Sequence, residues 1–120
     1  MAKILAVDDS ASMRQMVTHT LKTAGHVVTN AINGQQALDI AQTQTFDLVL
    51  TDVNMPVMDG LSLTKKLRAL MAFRFTPILI LTTESGREEK LEGRAAGATG
   101  WLVKPFNPDQ LLATIQKVLD

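Results

Sequence analysis

Asp8, Asp9, Asp52, Thr82 and Lys104 have side chains that suit one piece of chemistry, and each stands where an apolar run ends. Ile4-Leu5-Ala6-Val7 runs into Asp8-Asp9, Leu48-Val49-Leu50-Thr51 into Asp52, Ile78-Leu79-Ile80-Leu81 into Thr82, and Trp101-Leu102-Val103 into Lys104. Short unbroken runs of Ile, Leu and Val fit strands buried on both faces of a parallel sheet. In such a sheet the carboxyl ends of the strands share one edge, and ligands bind along it. Three carboxylates, a hydroxyl and an ammonium are therefore expected at one rim. A hard divalent cation such as Mg2+ takes oxygen donors, often one or two carboxylates beside phosphate oxygens. Asp9 and Asp52 can supply those carboxylates. A bound cation would also relieve the like-charge repulsion that raises carboxyl pKa values in such a cluster. A carboxylate can attack phosphorus to give an acyl phosphate. The charge on the transferring group spreads over its equatorial oxygens, which the cation, Lys104, Thr82 and backbone N–H groups can share.

Each residue alone has a plainer role. Asp8 or Asp9 would serve as a helix cap, Asp52 as a turn residue, Thr82 as a β-branched strand terminus, and Lys104 as a solvated surface lysine. The joint placement, each at the same end of a different strand, favours a site.

Strand and helix patterns alternate along the chain. Ser10 is expected to cap a helix through about Ala24, with Met13, Val17, Leu21 and Ala24 as its inner stripe and Gly25 as its left-handed terminator. Val27 and Val28 form a weaker strand. Asn33-Gly34 turns into a helix with Ala37, Leu38 and Ala41 inside. Met55-Pro56 and Asp59-Gly60 break the chain before a helix around Leu61 to Leu70. The next helix, roughly Arg87 to Ala96, is weakly specified: it has few large apolar residues beyond Leu91, and Gly93 lies inside it. Glu88 and Glu92 repel across one turn. Asn107, Pro108 and Gln110 make a capping box for a last helix, whose buried face is Leu111, Leu112, Ile115, Val118 and Leu119. Crossovers between parallel strands are right-handed, so the expected fold is a doubly wound α/β sheet of five strands with helices on both faces.

The 120 residues suffice for one domain, 1–120, with one core. Apolar content of 46% and charged content of 20% fit a globular chain. Twelve basic residues balance twelve acidic ones without a long run of one sign, which argues against a nucleic-acid patch or a membrane-surface helix. Cysteine is absent, which removes thiolate catalysis and Cys-type zinc sites. No apolar run is long enough for a signal peptide or a membrane span, so a cytoplasmic location is expected. His19 and His26 read as surface or helix-end residues, with no second ligand at metal spacing.

The motifs together resemble the receiver domain of two-component response regulators over essentially the full length. The matching segments are Val7-Asp8-Asp9-Ser10, Asp52-Val53-Asn54-Met55-Pro56, Met58-Asp59-Gly60, Leu81-Thr82-Thr83-Glu84, Ala96-Gly97-Ala98 and Lys104-Pro105-Phe106. Any one would be weak; the set is specific. The resemblance is to stand-alone regulators of the chemotaxis type. It implies a flavodoxin-like sheet of order 2-1-3-4-5, which the general rule for such folds already illustrates with a chemotaxis regulator. It further implies that Asp52 is the phosphate acceptor. Asp8, Asp9, Asp52 and the backbone carbonyl of Asn54 would bind Mg2+, and Thr82 and Lys104 would sense the phosphoryl group. Lys104-Pro105 would be a cis peptide, and Asn54 and Glu84 would tune dephosphorylation. Trp101 takes the place of a switch aromatic that is commonly Tyr or Phe, and Thr83 stands where a smaller residue is usual. Trp101 packed at a strand end with a wet indole N–H is the plainer alternative. The implied partners are a sensor histidine kinase and an effector, first the flagellar motor switch, with a monomer expected. A phosphate sink or relay that does not bind the motor is the main alternative.

Two other classes fit less well. A Mg2+-dependent phosphatase with an Asp nucleophile would share the acceptor, Thr, Lys and cation. Such enzymes, however, place an acid/base Asp two residues after the nucleophile, where this chain has Asn54. A flavin site would need a hydroxyl- and glycine-rich loop after the first strand, where Asp8-Asp9 would repel phosphate.

Overall fold

The computed structural model describes residues 1–83 and 87–119. Five strands, β1 (Lys3–Val7), β2 (Val27–Ala31), β3 (Leu48–Asp52), β4 (Ile78–Thr82) and β5 (Gly100–Val103), alternate with five helices. The helices are α1 (Ala11–Thr23), α2 (Gly34–Ala41), α3 (Gly60–Arg68), α4 (Arg87–Ala96) and α5 (Pro108–Leu119). All strand pairings are parallel, as the apolar runs predict, and the order β2-β1-β3-β4-β5 is the one that the resemblance to receiver domains implies. The fold is flavodoxin-like.

Side chains of the central strands alternate between two cores, because successive residues of a strand point to opposite faces. Leu5, Val7, Val49 and Ile78 join Ala37, Ala41, Leu63 and Leu67 of α2 and α3 on one face. Ile4, Ala6, Leu48, Leu50 and Leu79 join Val17, Leu21, Leu111 and Ile115 of α1 and α5 on the other. Burial on both faces explains why β1, β3 and β4 read as unbroken apolar runs. β2 is an edge strand with Val27 half exposed, and only its inner positions needed to be apolar. It therefore extends beyond Val27-Val28 through Thr29 and Asn30 to Ala31, with Asn30 hydrogen-bonded to Thr18 of α1.

The caps largely follow expectation. The Ser10 side chain accepts from Met13 N–H, and Gly25 takes φ +93°. Asn107 and Gln110 exchange the two bonds of the capping box, at 2.9 and 2.8 Å. Two details differ. Ala24 is exposed at the end of α1, and Thr20 takes the inner place beside Val17 and Leu21. The helix expected to reach Leu70 stops at Arg68 and is followed by a 3₁₀ turn, Met71–Phe73. Arg68 accounts for the stop: its guanidinium donates to the carbonyls of Phe73 at 2.7 Å, Thr76 at 2.6 Å and Gly97 at 2.9 Å. Folding the chain back onto Arg68 satisfies carbonyls that a continued helix would not offer.

Candidate functional site

Parallel pairing aligns the strand ends that carry chemistry. Val7 pairs with Thr51, Asp52 with Leu81, and Thr82 with Val103, so Asp8, Asp52, Thr82 and Lys104 emerge along one edge. Ser10, not Asp8 or Asp9, caps α1, which leaves both carboxylates for the rim. Asp8 is buried; its Oδ1 accepts Ser10 N–H at 2.9 Å, and its backbone carbonyl accepts from Arg14 at 2.7 Å. Asp9 is exposed.

The Lys104 ammonium bridges two carboxylates. Its Nζ lies 3.2 Å from Asp8 Oδ2 and 3.2 Å from Asp52 Oδ1. All three side chains are largely withdrawn from solvent, at 15% exposure for Lys104, 5% for Asp8 and 13% for Asp52. The peptide between Lys104 and Pro105 is cis, as expected. Lys104 N–H donates to the Thr82 carbonyl at 2.7 Å, which ties the lysine backbone to the buried Thr82.

Asp52 Oδ1 also accepts Val53 N–H at 2.9 Å. Burial pushes the Asp52 carboxyl above its ordinary value; Lys104 pulls it down and Asp8 pushes it up, and burial prevails. The loop behind Asp52 is tight. Gly60 N–H donates to the Val53 carbonyl at 2.9 Å, and a Cβ on Gly60 would collide with the Asp52 carbonyl oxygen. Val57 holds φ +72° in this loop, a region in which a β-branched residue is strained, and it is 80% exposed.

Carboxylate oxygens of Asp8, Asp9 and Asp52 lie within 4.8 Å of one another. Three carboxylates outnumber the single ammonium among them, and a hard dication fits that oxygen-only donor set and its charge. Asn54 is exposed beside this cluster in sequence and lines a cavity of ≈ 230 Å³ with Thr82, Lys90, Gly93 and Trp101. Trp101 is half-buried, and Lys90 Nζ lies 5.0 Å from its ring centroid. Thr83 is exposed, and Glu84 lies outside the described residues.

The chain matches known proteins over nearly its full length. The family described as the response regulator receiver domain matches residues 4–116. The chain belongs to the response regulator receiver family. A chemotaxis protein CheY homolog of Campylobacter jejuni is 40% identical over 119 residues, spanning 98% of this chain and 92% of that protein. The solved structure of chemotaxis response regulator CheY4 of Vibrio cholerae is 58% identical, with a TM-score of 0.96 over 98% of both chains. The receiver domain of sensor histidine kinase PA1611 of Pseudomonas aeruginosa, solved with a magnesium ion coordinated in its active site cleft, is 31% identical. Its TM-score is 0.91, covering 98% of this chain and 97% of that one. The receiver is thus of the chemotaxis response-regulator type.

Sequence reasoning missed Lys90, Gly93 and Arg68. No local motif marks Arg68, whose partners lie up to 31 residues away. Lys90 and Gly93 are one turn apart on α4, a spacing that signals a shared face, but what that face meets is a tertiary fact. His19 is exposed, and His26 follows the end of α1 as expected, its Nδ1 accepting Ala2 N–H at 3.0 Å. Among the described residues no helix is long and apolar enough to cross a membrane.

Proposed function

We propose that this receiver is a phosphorylation-operated signalling switch in which Asp52 accepts a phosphoryl group in a Mg2+-dependent reaction. The observation that carries this reading is the Lys104 ammonium held at 3.2 Å from both Asp8 and Asp52, beside a third carboxylate. Asp8, Asp9, Asp52 and the Asn54 carbonyl would hold Mg2+, with Asp8 acting mainly through water. When bound, that ion supplies positive charge against the carboxylates and the incoming phosphoryl oxygens. The Asp52 carboxylate attacks phosphorus of a kinase phosphohistidine; the new O–P bond forms as the P–N bond breaks, and imidazole leaves with its electron pair. Lys104 then exchanges its contact with Asp52 for a phosphoryl oxygen, and the Thr82 hydroxyl turns toward another. Water later hydrolyses the acyl phosphate, with Asn54 and Glu84 setting the rate.

The protein is a binding switch and not a turnover enzyme on an external substrate. It acts in the cytoplasm as a monomer, with a sensor histidine kinase as donor. The flagellar motor switch is the effector suggested by the chemotaxis relatives. A phosphate sink is the second reading. It is favoured by Lys90 and Trp101, which present a stacked cation and indole where the relatives' switch aromatic is commonly Tyr or Phe.

Intact mass after incubation with Mg2+ and acetyl phosphate tests the chemistry. A decaying adduct that is lost with chelator and with Asp52→Ala supports the reading. Persistent stoichiometric labelling of Asp52→Ala defeats it. Phosphorylation-dependent binding to purified motor-switch protein separates the two effector readings.

A further inference from the structure

We infer that α4 governs Trp101 through two residues, Lys90, which holds the indole at the cavity mouth, and Gly93, which leaves room for it inside. The inference rests on the switch reading above and names how that switch is set in this chain. Lys90 Nζ sits 5.0 Å from the Trp101 ring centroid, within reach for attraction to the ring face. The indole is half-buried and forms part of the wall of a cavity of ≈ 230 Å³. Thr82 and Ile80 of β4 line the same space, as do Gly93 and Lys90 of α4. The indole therefore stands beside an open volume that leads to the residue expected to move with the phosphoryl group.

Gly93 is not explained by crowding. Among the described residues, a Cβ there would meet Ile80 Cδ1 at 3.7 Å, which is an ordinary contact. Its φ lies outside the left-handed region, so backbone conformation does not require glycine either. Glycine inside a helix weakens it, and that cost has no return in local structure. What it does provide is space: Gly93 is buried and lines the cavity, so a methyl group there would occupy part of the volume. A tryptophan is bulky for an interior position, and overpacking is penalised in proportion to the excess. The missing side chain at Gly93 and the large ring at Trp101 are complementary in size.

Lys90 supplies the opposing force. Its charge favours the exposed face of the ring and would be stranded if the indole moved inward. Removing the Lys90 charge should shift the inward-to-outward ratio of Trp101 roughly two- to five-fold toward the inward pose, the effect of losing one exposed cation–π contact.

Trp101 is the only tryptophan and tyrosine is absent, so intrinsic fluorescence reports this one ring. Acrylamide quenching would be measured with and without Mg2+ plus beryllofluoride, a stable phosphoryl mimic, for the wild type, Lys90→Met and Gly93→Ala. Acetyl-phosphate labelling would be read by mass in parallel. The expected result is lower quenching on activation in the wild type, and reduced quenching in Lys90→Met before activation. Gly93→Ala should still be labelled but keep its quenching high. Equal quenching responses in all three proteins, with labelling intact, overturn the roles of Lys90 and Gly93 and leave the phosphorylation reading standing. Absence of labelling in the wild type overturns the phosphorylation reading and this inference with it.

Discussion

Lys104 keeps two carboxylates together that would otherwise repel each other. Replacing it with Met leaves Asp8 and Asp52 facing one another with little solvent, since both side chains are largely buried. We expect Lys104→Met to lower the metal-free protein's stability at neutral pH by roughly 1–3 kcal/mol, the usual cost of stripping a partner from buried charged groups. Urea unfolding measures it, and added Mg2+ should recover part of the loss by restoring positive charge. Asp52 gives a pH signature of definite sign. Its carboxyl is raised in the fold, first by burial and then by Asp8, with Lys104 opposing. The folded state therefore binds the Asp52 proton more tightly than the unfolded chain, and ionising Asp52 costs stability as pH rises through the folded value. In the absence of metal, Asp52→Asn should be more stable than the wild type at neutral pH. That advantage should shrink as pH falls through the raised pKa. Thermal melting across acidic to neutral pH checks this, and an advantage that grows on acidification would contradict it.

Two glycines illustrate how helices serve the site in opposite ways. Gly60 opens α3 directly behind Asp52, where a Cβ would strike the Asp52 carbonyl. Gly60→Ala should cost roughly 1–3 kcal/mol by overpacking and should also slow labelling of Asp52, because the acceptor's backbone must shift. Gly93→Ala has no such clash and should stabilise α4 by about 1 kcal/mol, the ordinary difference in helix propensity. Hydrogen exchange of α4 amides reads the second effect and urea unfolding the first. The same contrast shows what was legible in advance. Asn107 and Gln110 announced α5 because a capping box is local chemistry written at fixed spacing. Gly25 likewise announced the end of α1 through its left-handed backbone. The early stop of α3 at Arg68 was not legible, since it depends on carbonyls of Thr76 and Gly97 supplied by other elements. The length of β2 was hidden because an edge strand carries only half of the apolar pattern.

The parallel sheet turns a linear pattern into a site. Strand ends separated by as many as 96 residues meet at Lys104 and Asp8. Their convergence was readable because buried parallel strands must be apolar throughout, so the first polar residue marks the functional edge. The bridging position of Lys104 and the stack of Lys90 on Trp101 were not, because side-chain pairing across elements leaves no trace in periodicity. A cation bound by the native cluster and not by the unfolded chain should stabilise the whole molecule by about 2.7 kcal/mol at a hundredfold excess over its dissociation constant. Unfolding with Mg2+ and with chelator tests that, and Asp9→Ala should blunt the difference. The claim on which all else depends is the covalent one at Asp52. Borohydride reduces an acyl phosphate to an alcohol and spares free carboxylates, so reduction of the acetyl-phosphate-treated protein followed by peptide mass mapping locates the acceptor. The account predicts a Mg2+-dependent mass change at Asp52 alone, with Asp8, Asp9 and Asp59 unmodified. Reduction mapped to any other carboxylate, or none where a control receiver is labelled, would contradict it.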